Sequence, residues 1–257
     1  MARSYRNPGF IVISVSYLLV IAHVHVDLVK YLGPPPSRLM SPRESDPIEA
    51  NEVKAISLKD KEQKSEWYLK INPNGRLPTL IDHAKEDFPI WESSAILLYI
   101  AQHFDTEHKI SYDPVTEPKL YSEQLQWIFF AHGGIAPIVH FIRLAPEEIP
   151  YAIKRYKDES IRLIGVLEER LKGRDWLVGP HYSLADIKTL IRGTKLFDVD
   201  LNDYPNTQKW LERILARPKT DKGLGVPTRT DIEAMLKRTP EEYRAFGAAL
   251  FGFKKVE

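Results

Sequence analysis

The hydrophobic pattern of this chain changes period once, and that change limits the folds open to it. Between Val53 and Trp91 apolar residues come in short runs broken by turn formers. Beyond Ser93 they recur at helical spacing to the end of the sequence. A small α/β unit followed by an all-helical unit is the architecture this implies, and 257 residues are enough for two modest domains. Val53 to Leu58 alternates like a strand. Lys59 to Asn72 reads as a short helix with Ser65 as its N-cap and Trp67, Tyr68 and Leu69 near its buried side. Pro73-Asn74-Gly75 ends that helix, Gly75 being suited to positive φ. Leu77 to Asp82 and Phe88 to Trp91 are short strands around a charged turn, and Glu92-Ser93-Ser94 opens an apolar helix that runs through Phe104.

The second half repeats one theme. Leu120 to Ala131, Ile149 to Lys172, Leu184 to Leu196 and Thr207 to Arg217 all carry helical periodicity. In the longest of these, Asp158–Arg162 and Glu168–Lys172 stand at the i,i+4 spacing of exposed ion pairs. Two tail helices start with Thr230-x-x-Glu233 and Thr239-Pro240-Glu241-Glu242, both of capping-box form.

The first 51 residues stand apart. Phe10 to Val26 (FIVISVSYLLVIAHVHV) follows Arg3 and Arg6, and two readings stay open for it. It is a buried strand, as its β-branched residues suggest, or a membrane anchor or signal, although His23 and His25 suit hydrocarbon poorly. Gly33 to Asn51, with Pro34, Pro35 and Pro36 in succession, is a linker or exposed loop. The division is therefore 1–51 as an apolar segment and Pro-rich linker, 52–110 as the α/β domain, 117–225 as the helical domain and 226–257 as a helical tail.

Composition removes several functions. With no Cys there is no disulfide, thiolate metal site or cysteine nucleophile. A net charge of +1 gives no field to draw in nucleic acid. His23-x-His25 has no matching ligand motif nearby, so no metal is expected. There is neither a G-x-S-x-G elbow nor a phosphate-cradling glycine loop.

Three motifs carry chemistry. In Arg76-Leu77-Pro78-Thr79 the proline opens a strand. It is either an edge-strand proline or, if the Leu77–Pro78 bond is cis, the device that frees the Leu77 main chain to pair with a ligand's backbone. Glu92-Ser93 stands at a helix start, where unpaired N–H groups and partial positive charge favour a carboxylate. Ser93 would add a donor and Glu92 would attract an ammonium, which suits a zwitterionic amino-acid end. The alternative is ordinary capping by Ser93 or Ser94. The third motif, Ser183-Leu184-Ala185-Asp186-Ile187 after Tyr182, reads as a capping box of Ser183 and Asp186 with a hydrophobic staple, a folding device.

The order of these motifs resembles the cytosolic glutathione transferase family. Strand, helix, NPNGRLPTL, hairpin, WESSAILLYI and then a helical half containing WLVGPHYSLADI are the matching features, with EQKSEWYLKINPNGR and APEEIPYAIKRYKDE similar to the fungal nitrogen-regulator-like branch. The resemblance runs from Val53 to Pro218, roughly two-thirds of the chain. It implies a thioredoxin-like N-terminal domain, its start incomplete in the pattern, followed by an all-α C-terminal domain. By that resemblance Leu77 and Pro78 pair with the cysteinyl backbone of glutathione, the co-substrate, and Glu92 and Ser93 hold its γ-glutamyl end. Phe129, Phe130 and His132 are expected to face an electrophilic, apolar second substrate. A cytoplasmic homodimer is implied as well, with a membrane partner entering only through Phe10 to Val26. The start departs from the family: no turn aligns with the place where the thiol-stabilising residue belongs, so that residue is not identified. Two functions follow, a transferase joining glutathione to an electrophile in detoxification or fungal secondary metabolism, or a non-catalytic binding or regulatory protein of the same fold.

Overall fold

The computed structural model describes residues 10–14, 51–58, 60–135, 149–191, 194–197, 199–226, 229 and 231–251. A four-stranded sheet is built from β1 (Phe10–Ser14), β2 (Asn51–Ala55), β3 (Thr79–Asp82) and β4 (Phe88–Trp91) in the order β2-β1-β3-β4. β1 runs parallel to β2 and antiparallel to β3. The segment set apart as 1–51 thus supplies an interior strand of this sheet. A strand with a neighbour on each side has both rows of main-chain groups paired, and the β-branched run Ile11-Val12-Ile13 suits that position. The membrane reading therefore does not hold for Phe10–Ser14; the remainder of Phe10 to Val26, His23 and His25 included, and nearly all of the Pro-rich stretch lie outside the described residues. No helix among the described residues is long and apolar enough to cross a membrane.

β3 lies between β1 and β4, so Pro78 is no edge-strand proline. It stands one residue ahead of the strand, and its bond to Leu77 is cis. Pro89 does occupy an edge, because β4 has a single neighbour.

Between β2 and β3 a 3-10 turn (Glu62–Lys64) leads into α1 (Glu66–Ile71). Ser65 stands at the N-cap, but its hydroxyl donates to the Glu62 carbonyl. Of the three residues assigned to the buried side, only Tyr68 is buried; Trp67 and Leu69 are exposed. Successive helical residues are turned 100° apart and cannot share one narrow face. Tyr68 explains its own burial. Its hydroxyl donates to the Arg76 carbonyl (2.6 Å) and meets Thr79 Oγ1 (2.7 Å), while Asn72 Nδ2 donates to the same two oxygens. These bonds fix the turn that carries Leu77 and Pro78.

The helical half comprises α2 (Ser93–Phe104), α3 (Pro118–Phe130), α4 (Pro150–Arg170), α5 (Leu184–Thr189), α6 (Pro205–Leu215), α7 (Pro218–Gly223), α8 (Ile232–Leu236) and α9 (Pro240–Phe251). α2 belongs to the sheet's domain by sequence but packs against α5 as well. A π-helical turn (Ala131–Ile135) follows α3. At the centre, every residue of α5 is buried. Its carboxylate, Asp186, accepts from the N–H groups of Ser183 (2.9 Å) and Leu177 (3.0 Å) and from Trp210 Nε1 (2.8 Å). The Ser183–Asp186 capping box therefore also ties α5 to α6.

Several local expectations change on contact with the fold. α5 stops at Thr189, with a 3-10 turn at Thr194–Phe197, in place of one helix to Leu196. On α4, Asp158 pairs with Lys154 and Arg162 with Glu159. Glu168 turns away from Lys172 to the start of α6, where a buried-side partner with four donors outcompetes a solvated ammonium. α8 is capped by Asp231, which accepts from the Ala234 N–H. Thr239 and Glu242 exchange the two capping-box bonds at α9.

Candidate functional site

Three chain segments converge at one end of the sheet. The β3–β4 ladder closes with Thr79 opposite Trp91, so Leu77 leads into one strand where Glu92-Ser93 leaves the other. Ile13 of β1 also pairs with Thr79, which brings the end of β1, Ser14, to the same place. Among the described residues nothing pairs with the main-chain N–H or carbonyl of Leu77. Unpaired extended main chain of this kind is a template for a ligand's backbone.

Opposite Leu77, Glu92 adopts φ +68°, a region a residue with a side chain avoids unless its surroundings impose it. Its carboxylate has two neighbours. Asn74 Nδ2 donates to Glu92 Oε1 (3.2 Å), and His132 Nε2 lies 3.5 Å from Oε2. Asn74 is itself positioned by its N–H bond to Asn72 Oδ1 (3.1 Å). Glu92 stands at the N-cap of α2 without making a capping bond. The two serines do not serve as conventional caps either: Ser94 Oγ meets His132 Nδ1 (3.0 Å), and Ser93 Oγ accepts from Lys188 Nζ (2.7 Å). Both hydroxyls thus reach across to the helical half. The first-turn N–H groups of α2 keep their partial positive charge beside a carboxylate, Glu92, that is held in place.

Electrostatics sharpen this picture. Burial pulls the His132 imidazole below its usual range, and the Lys188 ammonium adds to that, while Glu92 opposes both. His132 is therefore a neutral ring at pH 7, available to the Ser94 hydroxyl. Lys188 is only 2% exposed, and burial lowers its ammonium to about 8 against the pull of Glu92.

The residues named from sequence divide into two sets. Leu77, Pro78, Glu92 and Ser93 gather at this end of the sheet. Of the group expected to face a second substrate, His132 meets the Glu92–Ser94 end of the site. Phe129 is 58% exposed, and Phe130 packs on the core with its ring edge-on to Trp127 (5.2 Å). Sequence reasoning missed Asn74, which it used only as a helix terminator, and Lys188. The latter had a signal: a lone cation inside the apolar run Leu184 to Ile191. Among the described residues no group of three or more His, Asp or Glu is placed to hold a metal ion.

A thioredoxin-like sheet with a cis-proline turn set against a helix N terminus, and a helical unit packed on it, is the glutathione transferase architecture. The chain belongs to the glutathione S-transferase family, within its fungal Ure2-like branch: the N-terminal domain model of that family matches residues 49–102 and the C-terminal domain model residues 135–218. Glutathione S-transferase 1 of Schizosaccharomyces pombe is 38% identical over 187 residues, covering 65% of this chain and 81% of the relative. Glutathione S-transferase-like protein tpcF of Aspergillus fumigatus is 35% identical over 178 residues, 61% of this chain and 77% of tpcF. The crystal structure of the glutathione transferase URE2P8 from Phanerochaete chrysosporium with oxidized glutathione superposes with a TM-score of 0.72 at 30% identity, covering 92% of this chain and all of that one.

Proposed function

We propose that this protein is a glutathione transferase that joins the glutathione sulfur to an electrophilic carbon of an apolar small molecule. The observation that carries the reading is the register of the β3–β4 ladder, which puts the unpaired main chain of Leu77 beside Glu92 and Ser93. A tripeptide laid across that end pairs its cysteinyl backbone with Leu77 next to Pro78. Its γ-glutamyl ammonium meets the Glu92 carboxylate, and its α-carboxylate meets Ser93 and the N terminus of α2. The cysteinyl sulfur then lies toward the end of β1. Catalysis there requires a donor that favours the thiolate, and each pKa unit of depression is about 1.4 kcal/mol. Ser14 ends β1, and the next hydroxyls along the chain are Ser16 and Tyr17. These three are the residues to vary in search of the activator. The electrophile belongs to detoxification or to a fungal secondary-metabolite route, and the working form is a cytoplasmic homodimer.

Retention on immobilised glutathione together with conjugation of a chlorodinitrobenzene-type electrophile is the expected result. The double variant Glu92→Ala, Ser93→Ala should lose retention; a variant that still binds would remove the assigned site. Retention without conjugation in the native chain would favour the non-catalytic binding protein, the second function compatible with this fold.

A further inference from the structure

Lys188 is a cation for which the described residues supply no ion-pair partner at contact distance. Its ammonium is buried at the junction of α5, α2 and the π-helical turn, and its hydrogen bond goes to a neutral hydroxyl, Ser93 Oγ, at 2.7 Å. Among the described residues no carboxylate lies within ion-pair distance of Nζ. Glu92 acts on it only from further away, one of its oxygens accepting from Asn74 and the other 3.5 Å from His132 Nε2. Burying an ammonium without an anion is costly, several kcal/mol in ordinary proteins. Such a group is most stable when something negative arrives. The place where it waits is the start of a twelve-residue helix, whose first-turn N–H groups favour the same sign of ligand. An ammonium can only donate, so Ser93 Oγ is the acceptor in their bond.

We propose that Lys188 is the charge-selecting residue of this site: its buried ammonium, acting through the Ser93 hydroxyl, makes recognition depend on a free α-carboxylate at the γ-glutamyl end of the ligand. The inference rests on the proposed placement of that end at α2. Lys188 is a positioning residue, since it acts through Ser93 and not on the sulfur. The ligand class it selects is a γ-glutamyl thiol whose first residue keeps both its amine, for Glu92, and its carboxylate, for the Ser93–Lys188 pair.

The test compares two ligands by calorimetry at pH 7: glutathione and its analogue in which hydrogen replaces the α-carboxyl group of the γ-glutamyl residue. The native protein should prefer glutathione by about ten- to a hundredfold, the range expected when a charge-assisted hydrogen bond is lost. Lys188→Met keeps the side chain's length and removes its charge; it should weaken glutathione by a similar factor and leave the analogue within about twofold, so that the preference collapses. Equal weakening of both ligands, or a preference that survives, overturns the inference. Glu92→Gln and Ser93→Ala separate it from the reading beneath it. If neither variant weakens glutathione, the γ-glutamyl placement has failed; if both do while Lys188→Met spares the preference, only the role of Lys188 has failed. Should Lys188→Met not fold, the native protein still decides through the titration of its labelled lysine side chains by NMR. Glutathione should raise the Lys188 midpoint above about 8 and the decarboxylated analogue should not; no difference between the two ligands refutes the role.

Discussion

Gly179 has φ +56°, and an added Cβ would stand 2.3 Å from the Tyr112 hydroxyl oxygen and 2.9 Å from Cζ. Tyr112 is not free to retreat. It is buried, its hydroxyl donates to the Val178 carbonyl at 2.7 Å, and burial together with the nearby Asp186 raises that hydroxyl to about 12. Backbone strain and a steric clash therefore act together at one position. Gly179→Ala should lower unfolding stability by about 2–4 kcal/mol, read as a shift of the urea midpoint with unchanged slope. Tyr112→Phe in the same chain should recover only part of the loss, because the ring carbon and the backbone angle remain. A Gly179→Ala protein as stable as the native one would show that the Tyr112 ring yields at no cost. The same scale holds the most distinctive residue of the site, Glu92, which stands at the N-cap of α2 with a positive φ and accepts a hydrogen bond from Asn74.

Among elements, α6 shows best how one helix relies on another. Its first turn begins with Pro205, which has no N–H to leave unpaired. The next donors, the N–H groups of Asn206 and Thr207 with their side chains, all end on the Glu168 carboxylate of α4. Burial alone would raise Glu168, but these four hydrogen bonds outweigh it and hold the group below its usual range. A carboxylate depressed by folding stabilises above its unfolded pKa, and that stability is lost as pH falls through the folded one. Glu168→Ala should cost about 1–3 kcal/mol at pH 7 and progressively less as pH falls below the ordinary carboxylate range and the native chain loses the same bonds. A constant difference across that range would contradict the assignment. Here lies the boundary of what sequence reveals. The capping boxes at Ser183–Asp186 and Thr239–Glu242 are complete within four residues, so spacing alone exposes them. The Glu168 cap joins residues 38 and 39 apart, and its donors carry no local mark. β1 was ambiguous for a related reason: an apolar run without alternation suits a buried strand or a helix equally, and the strands that decide it, β2 and β3, lie far along the chain. That Leu77, Pro78, Glu92 and Ser93 stand together at turn and helix start was legible because turn and cap chemistry is local. Asn74 and Lys188 were not, since each meets the site through the fold; His132 was named from the sequence, but for a second substrate and not for its contacts with Ser94 and Glu92.

At the scale of the molecule, the junction between the sheet's domain and the helical half is where Lys188 sits, and it should contribute to the alkaline stability profile. The groups that act on it among the described residues are Glu92 at the start of α2, which favours the ammonium, and His132 in the π-helical turn, which the ammonium pushes down. Folding lowers Lys188 from 10.5 to about 8. Below pH 8 the ammonium must be buried to fold. Between about 8 and 10.5 the unfolded chain holds a proton that the folded chain has released, so stability rises with pH across that window. A shift of this size corresponds to about 3 kcal/mol. His132 titrates below the window and leaves it undisturbed. Other lysines and tyrosines also titrate there, so the informative quantity is the difference between the native chain and Lys188→Met, followed by chemical denaturation from pH 7 to 10.5. Lys188→Met should be the more stable protein at pH 7, despite losing the bond to Ser93, and its advantage should shrink steadily toward pH 10.5. A difference that stays flat, or a variant weaker than the native chain at pH 7, would mean that the ammonium is solvated or paired in the free protein. With that, the physical ground for its appetite for an anion would disappear. Lys188 joins the two halves through Ser93, so a change that strengthens the fold there is expected to weaken the recognition that the fold supports.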